Sequence, residues 1–482
     1  MLVVKFKRSG ALLAFVGVLS ACGGGGGGGG GGSPPIGSTP TPTPPPSSAG
    51  CSLADRQAWV ATELREWYLF PETLPAANPV GVATLSDFVD AMTATARSQR
   101  RDRFFTYVTS IAEENAFFQQ GSSAGFGIRL STDVAQRRLF IAEAFEGAPA
   151  LATGIDRGTE ILAIGTSSAT LQTVDSIIAA QGAAGITAAL GPSTPGTTRV
   201  LRIADAAGTR EVTVTKADFA LTPVSSRYGA RIIDDGGRRV GYVNLRTFID
   251  TADPALRNAF AQFRAQGINE VIVDLRYNGG GLVSIGELLG DLLGANRAGQ
   301  VFSRTVFRPE KSSNNSTDLF GAQAQAIGST RIAFIGTGGS ASASELVINS
   351  FIPYLGANAA LVGTNTYGKP VGQIARDRPQ CDDRLRVVAF ATQNSAGQGA
   401  YFDGLAPFMQ STCRAGDDLA FQLGDPREAS IRASLDFLAG RACTPIAAAP
   451  AAGSQAGLRQ AERELVRPMR PTPAQREVPG FF

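Results

Sequence analysis

The sequence predicts an α/β protein built from a helical N-terminal part, a β-rich domain and an α/β core. Apolar residues recur at helix-face spacing within residues 51–117, and short strand-like segments separated by glycines fill residues 118–217. From residue 218 to 444, buried strands alternate with helices, which is typical of a largely parallel, covered sheet. With 482 residues, 43% of them hydrophobic and 18% charged, the chain is long enough for several domains with buried cores.

Residues 1–22 are predicted to be a targeting segment. Basic residues between Lys5 and Arg8 precede an apolar stretch that is shorter than the roughly 20 residues a membrane-spanning helix needs. The segment ends in Leu19-Ser20-Ala21-Cys22, which resembles the lipobox of bacterial lipoproteins. This resemblance implies that Cys22 carries the lipid, and that Gly23, in place of Asp, favours the outer membrane of a Gram-negative-type cell envelope, facing the periplasm or the surface. An ordinary secretory signal is the alternative.

Residues 23–50 are predicted to be a flexible Gly/Pro-rich linker, because ten glycines are followed by a Thr/Pro run. At the other end, residues 445–482 are rich in Ala, Pro and Arg and are predicted to be a disordered tail. The net charge of +3 has acidic and basic residues interspersed, so the sequence does not predict a nucleic-acid partner.

Four cysteines remain beyond Cys22, and an even number in an exported protein suggests two disulfides. Three connectivities are possible. We favour Cys51–Cys443, which would bracket the folded region, together with Cys381–Cys413, which are closer in sequence. The spacings fit no zinc pattern, so we expect neither a metal nor a cofactor.

Two helices are predicted in the N-terminal part, the first from Trp59, Leu64 and Tyr68, and the second from Phe88 and Met92. These aromatic residues are expected to form core. Prolines separate the two helices.

The order of strands and one helix in residues 118–217 resembles a PDZ domain. In that family, a Gly-Φ-Gly-Φ loop (Φ apolar) offers backbone N–H groups to a peptide's terminal carboxylate, and the peptide adds as a strand. By this resemblance Gly125, Phe126, Gly127 and Ile128 are the peptide-binding residues. Glycines in an ordinary hairpin would give the same tetrapeptide.

Two motifs follow buried strands of the predicted core, where sites of α/β proteins gather. After the strand 331–335, Ser342 and Glu345 have the spacing of a capping box, which places Ser342 at a helix start. After the strand 271–275, three glycines end at Gly281, and such a turn can aim N–H groups at an oxyanion. Simple capping and a tight turn are the alternatives.

The chain has no histidine, which excludes a Ser-His-Asp triad and a Cys-His dyad. A serine deprotonated by a lysine remains possible. Lys369 has small or apolar neighbours, and in a strand it would face the same side as Gln373. Desolvation would lower its pKa and leave a neutral amine able to act as a base. A solvated surface lysine is the alternative.

Three motifs together, Asp-Leu-Arg-x-Asn-x-Gly-Gly, Ser-Ala-Ser-Ala-Ser-Glu and Thr-Tyr-Gly-Lys-x-x-x-Gln, resemble the C-terminal processing (tail-specific) serine peptidase family. The resemblance implies a PDZ domain before a ClpP/crotonase-like core that cleaves protein substrates captured by their C-terminal tails. It assigns Ser342 as nucleophile and Lys369 as base, with Gln373 as the partner that orients the lysine. The oxyanion donors would be the N–H groups of Gly280 and Ala343. Ser344 is the rival nucleophile.

Pro370 departs from the family, which has glycine after the lysine. Proline lacks an N–H and stiffens the chain, so a catalytically weak or inactive peptide-binding lipoprotein is the alternative function. An acyl hydrolase on a related core is a further alternative. The sequence is silent on the oligomeric state.

Overall fold

A computed structural model describes residues 50–447 and 463–482. The targeting segment with Cys22 and most of the Gly/Pro-rich linker lie outside the described residues. The described part of the chain contains the α-helices α1 Leu53–Trp67, α2 Leu85–Met92, α3 Ala94–Ser98, α4 Ile111–Gln120, α5 Pro149–Ala152, α6 Val174–Leu190, α7 Ala252–Ala265, α8 Val283–Leu293, α9 Ala343–Leu355, α10 Ala429–Leu438 and α11 Pro473–Glu477.

The strands of the first half are β1 Tyr107–Ser110, β2 Ser122–Gly125, β3 Ile128–Asp133, β4 Arg138–Ala144, β5 Glu160–Gly165, β6 Gln172–Thr173, β7 Thr198–Asp205, β8 Gly208–Thr215, β9 Ala217–Ala220, β10 Ala230–Asp235 and β11 Arg238–Asn244. Those of the second half are β12 Glu270–Asp274, β13 Val301–Phe307, β14 Ser316–Leu319, β15 Arg331–Gly336, β16 Ala359–Gly363, β17 Val371–Arg378, β18 Asp383–Gln393, β19 Ser411–Arg414 and β20 Glu464–Leu465. The predicted α/β class is confirmed.

The α/β core is a six-stranded sheet in the order β10-β11-β12-β15-β16-β19. The four pairs from β11 to β19 are parallel, and only the β10–β11 pair is antiparallel. Helices α7, α8 and α9 cover one face and α10 covers the other, so the strands are buried on both sides. Because β12 and β15 are parallel neighbours, the glycine turn (residues 275–281) and the three serines emerge at one edge of the sheet.

A second sheet, in the order β1-β18-β13-β14 with β17 paired to β18, stands beside the core. The N-terminal helices pack on it: Val60, Leu64 and Phe88 share a buried cluster with Leu385 and Val387. Side-chain caps start these helices, with Ser52, Thr84 and Ser110 each accepting a backbone N–H bond. Lys369 lies just before β17, which pairs with β18 in this sheet. Because the N-terminal helices pack on the sheet, they support the strand that follows Lys369.

The β-rich domain is an antiparallel sheet in the order β20-β3-β4-β5-β7-β8, with β6 on β5 and helix α6 packed against it. The edge strand β20 comes from the C-terminal end of the chain. Residues 463–482 are thus ordered, and the predicted disordered tail is wrong for them. Residues 445–482 are rich in Ala, Pro and Arg, but Val478, Phe481 and Phe482 at the end of this segment are fully buried.

The disulfides are Cys51–Cys381 and Cys413–Cys443, so the favoured pairing is wrong. Cys51 precedes α1, which packs on β18, and Cys381 lies in the turn between β17 and β18. Cys413 is on β19, against which α10 packs, and Cys443 follows that helix. Sequence distance was a poor guide because α1 and the β17–β18 turn meet only in the tertiary structure. In the described residues, no helix has both the length and the apolar character needed to cross a membrane.

Peptide mapping of the oxidised, unreduced protein should recover two cross-linked peptide pairs, Cys51 with Cys381 and Cys413 with Cys443. Replacing Cys51 and Cys381 together by serine is expected to lower the free energy of unfolding by about 2–4 kcal/mol, measured by urea denaturation, because it frees a loop of 330 residues in the unfolded chain. A cross-linked peptide joining Cys51 to Cys443 would contradict this connectivity.

Candidate active site

Ser342 occupies a sharp turn between β15 and α9. Its φ of 56° is in the left-handed region, which is unusual for a non-glycine residue and is held by the surrounding bonds. The three serines of the motif differ in exposure. Ser340 Oγ donates to Leu275 O at 2.7 Å, Ser344 Oγ donates to Asn278 O at 2.9 Å, and both residues are fully buried. Ser342 is partly exposed, so its hydroxyl is the accessible one.

The glycine turn lies directly against Ser342. A Cβ added to Gly280 would be 2.7 Å from Ser342 Cβ and 3.2 Å from Ala343 N, so only glycine fits there. Both predicted oxyanion donors therefore flank the serine. In this conformation, however, the Gly280 N–H donates to Asn278 Oδ1 at 2.9 Å. Gly280 has to turn away from Asn278 before its N–H can bind an oxyanion.

Lys369 and Gln373 are paired, as the sequence predicts. Lys369 Nζ donates to Gln373 Oε1 at 2.9 Å, and Gln373 Nε2 donates to the backbone oxygen of Phe105. The Phe105 ring lies 5.3 Å from Nζ. Ser342 and Gln373 line the same small cavity of about 40 Å³, which places the serine beside the amide that holds the lysine. Burial lowers the pKa of Lys369, and the carboxylate of Glu477 opposes this effect.

Glu345 is the buried residue that joins the two halves of the site, and sequence analysis assigned it only a capping role. Its carboxylate accepts from Ser342 N at 3.1 Å, Gly368 N at 2.6 Å and Lys369 N at 2.7 Å. It also accepts from Thr366 Oγ1 at 2.6 Å. Burial raises the pKa of Glu345, whereas these bonds stabilise the charged form. One carboxylate thus fixes the serine turn and the lysine loop (residues 364–370) together.

Arg103, from the N-terminal part, supports the lysine loop from the other side. Its Nη2 donates to Tyr367 O at 2.6 Å, to Gly368 O at 2.7 Å and to Phe402 O at 3.1 Å. Sequence reasoning missed Arg103 because no local pattern links it to residues more than 260 positions away. Nearby, Pro370 accepts from Thr392 N at 3.0 Å through its carbonyl, so its missing N–H does not disturb this contact with β18.

The four residues of the predicted peptide-binding loop (residues 125–128) surround the end of the chain itself. Gly127 N and Ile128 N donate to the backbone oxygen of Phe482 at 2.9 and 3.1 Å. A Cβ on Gly125 would be 2.8 Å from Phe482 C, and Phe126 is buried in the domain core. Gly127 has a φ of 76°, and a side chain there would collide with Ala148.

A comparison with models of known protein families finds a match within the α/β core. Residues 239–409 match the model of peptidase family S41. The likeness to peptidase family S41 is thus shown for this segment, about a third of the chain. The segment contains the glycine turn, the serine motif and the lysine loop.

Two curated relatives extend the likeness. The chain is 28% identical over 317 residues to carboxyl-terminal-processing peptidase 3 of Arabidopsis thaliana, covering 64% of this chain and 58% of that protein. It is 28% identical over 255 residues to the carboxyl-terminal-processing protease of a Synechocystis strain, covering 52% of this chain and 53% of that protein. The matched region thus spans little more than half the length of either relative.

Among solved structures, the fold resembles that of an S41 family protein from Bacteroides fragilis. The TM-score is 0.61 at 23% sequence identity, and the alignment covers 79% of this chain and 97% of that one. The similarity therefore extends beyond the S41 segment into the neighbouring parts of the fold.

Replacing Glu345 by alanine is expected to lower the free energy of unfolding by about 3 kcal/mol, because buried N–H groups of Ser342, Gly368 and Lys369 lose their acceptor. Urea denaturation measures the loss. The control is Glu310→Ala, whose exposed ion pair with Arg308 should be worth less than about 1 kcal/mol. Equal effects of the two substitutions would contradict the role of Glu345 as the link.

Proposed function

We propose that the chain is a serine endopeptidase in which Ser342 is the nucleophile and Lys369 the general base. The observation that carries the proposal is the convergence of an accessible serine on a strained turn with a buried lysine whose amine is oriented by Gln373. The S41 match over the same residues supports it.

In the proposed reaction, the neutral Lys369 amine takes the proton from Ser342 Oγ as the oxygen attacks the peptide carbonyl. The oxyanion faces the N–H groups of Ala343 and Gly280, the latter after it leaves Asn278 Oδ1. The Lys369 ammonium then protonates the leaving amine. Water, deprotonated by the same amine, hydrolyses the acyl-enzyme and restores Ser342.

Substrate capture is proposed to involve the β-rich domain acting as a PDZ domain. The N–H groups along the edge of β3 and in residues 125–128, which bind residues 480–482 in this structure, suit a chain that ends in a free carboxylate and adds as a strand. The ligands are then protein or peptide C-termini. The position of Phe482 against Gly127 and Ile128 supports this geometry.

A lipid anchor on Cys22 is proposed to tether the folded part to the outer membrane of a Gram-negative-type envelope, with the Gly/Pro-rich linker as spacer. The competing function is a peptide-binding lipoprotein that captures C-termini without cutting them. The engagement of the Gly280 N–H with Asn278 and the presence of Pro370 favour that alternative.

Ser342→Ala and Lys369→Ala are each expected to lower cleavage of an unstructured polypeptide with an apolar C-terminus by at least about a thousandfold. A serine-reactive phosphonate should label Ser342, as mapped by mass spectrometry. Ser344→Ala is the matched comparison, since the Ser344 hydroxyl is committed to Asn278 O and should be dispensable for the chemistry. Labelling at Ser344, or full activity in Ser342→Ala, would contradict the assignment.

The pH dependence of kcat/KM should follow the titration of a lysine side chain. Because only the neutral amine is a base and burial lowers the Lys369 pKa, kcat/KM is expected to rise with pH to a plateau whose midpoint lies below the usual lysine value of about 10.4. The charged groups that act on Lys369 are Glu477, Asp102, Arg476 and Arg386. Glu477→Gln removes a carboxylate that raises the pKa, so the midpoint should move to lower pH. A shift to higher pH would contradict Lys369 as the base.

A further inference from the structure

The last residues of the chain follow the edge of the β-rich domain twice. Residues 463–482, called the tail, first pair with β3 through β20, where Glu464 and Leu465 face Thr132 and Ser131. The tail then leaves the sheet and returns at its end. There Leu130 N donates to Gly480 O at 2.8 Å, and Phe482 N donates to Ile128 O at 2.9 Å. Both passes are antiparallel to β3, which is how a captured peptide would add to this edge.

Two aromatic side chains hold the end of the tail. Phe482 is 2% exposed and belongs to the core of the β-rich domain, while its backbone oxygen accepts the two N–H bonds of residues 125–128. Phe481 is 1% exposed and packs on the rings of Phe145 and Phe219, with centroids 5.6 and 5.8 Å away. Burial of both rings stabilises this position of the tail, because it removes their apolar surface from water. By contrast, Arg470 makes half-exposed ion pairs with Asp87 and Asp90, which contribute little.

Between the two passes, helix α11 lies across the catalytic cleft. Gly279 N donates to Glu477 O at 2.9 Å, and the Arg476 guanidinium lies 3.6 Å from the Tyr107 ring centroid. Glu477 lines the cavity of about 40 Å³ together with Ser342. That space admits a water or two but no peptide, since one water occupies about 30 Å³ in the liquid. The tail therefore closes the cleft at the serine.

The contacts of the tail in the cleft differ from those of a peptide that is about to be cleaved. A peptide bond about to be cut places its carbonyl oxygen at the oxyanion donors. The tail carbonyl held at the glycine turn is that of Glu477, and it accepts from Gly279 N, not from Gly280 N, which is bonded to Asn278. The tail thus contacts the glycine turn without placing a carbonyl on Gly280 N, the proposed oxyanion donor.

From these contacts we propose that the tail is a tethered inhibitor that occupies the predicted peptide-binding loop (residues 125–128) and the catalytic cleft at once. Protein chains that end in apolar aromatic residues displace it. Inhibition of cleavage by the tail, the catalytic half, rests on the proposed peptidase function. Competition between the tail and other peptides for the edge of β3, the binding half, does not. A tether keeps the tail at an effective concentration of about millimolar, so weak competitors are excluded and only a chain that fills the Phe481 and Phe482 sites opens the enzyme.

Binding to the full-length protein gives the first test. The probe is a fluorescent peptide with the sequence of residues 476–482, Arg-Glu-Val-Pro-Gly-Phe-Phe, and a free carboxylate. Phe482→Asp places a charge in the apolar site and should release the end of the tail. We expect this variant to bind the peptide at least about tenfold more tightly than the unaltered protein, measured by fluorescence anisotropy. Met469→Ala is the matched control, because Met469 is an exposed tail residue and should change nothing. Equal affinity in all three proteins overturns the proposal.

A second variant covers the case in which Phe482→Asp fails to fold. Gly480→Val buries no charge, but its Cβ would lie 2.9 Å from Leu130 O at a φ of 84°, so this variant should push the end of the tail off β3 and likewise raise peptide affinity. In both variants, phosphonate labelling of Ser342 should be at least about tenfold faster than in the unaltered protein, and the peptide of residues 463–482 added in trans should slow it again. Release of a C-terminal fragment by the enzyme's own cleavage overturns the inhibitor assignment and makes the tail a substrate. If the variants bind peptide more tightly but Ser342 is never labelled, the binding half stands and the peptidase function fails.

Discussion

The site depends on one buried carboxylate. Glu345 accepts the N–H of Ser342 at the start of α9 and the N–H groups of Gly368 and Lys369 in the lysine loop. The serine turn follows β15 of the parallel core, and the lysine loop leads into β17 of the second sheet; Tyr367 N also donates to Ser340 O between them. A charged acceptor in a low-dielectric interior forms strong bonds, and each N–H left without it would be costly. The strained φ of Ser342 is sustained for the same reason.

The N-terminal part of the chain also contributes to the active site around Glu345. The N-terminal part lies far from the serine motif in sequence, yet Arg103 holds three carbonyls around the lysine loop and Phe105 holds Gln373 through its backbone oxygen. The helical part is therefore a wall of the active site as well as a packing layer. The disulfide from Cys51 to Cys381 ties that wall to the β17–β18 turn. Loss of the N-terminal helices would expose Lys369 and restore an ordinary lysine pKa.

The tail connects the two proposed ligand sites of the molecule. Its end satisfies the N–H groups of Gly127 and Ile128, and its helix α11 sits against the glycine turn beside Ser342. Because both contacts belong to one segment, binding of a chain end at the β-rich domain and opening of the cleft are the same event in the proposed scheme. Coupling of this kind needs no change in the core of either domain, only competition for the edge of β3.

The sequence by itself determined the features that depend on residues close together in the chain. The two buried strands predicted at residues 271–275 and 331–335 agree with β12 and β15 within one residue, since both are marked apolar runs, and the absence of histidine directed attention to Lys369 and Gln373. The tertiary structure alone decided the disulfide partners, the roles of Glu345 and Arg103, and the position of the tail. Each of these joins residues far apart in the chain, and composition averaged over residues 445–482 concealed three apolar side chains at the end. Whether Phe482 is buried depends on the open edge of β3 and the apolar core behind it, which only the folded β-rich domain provides.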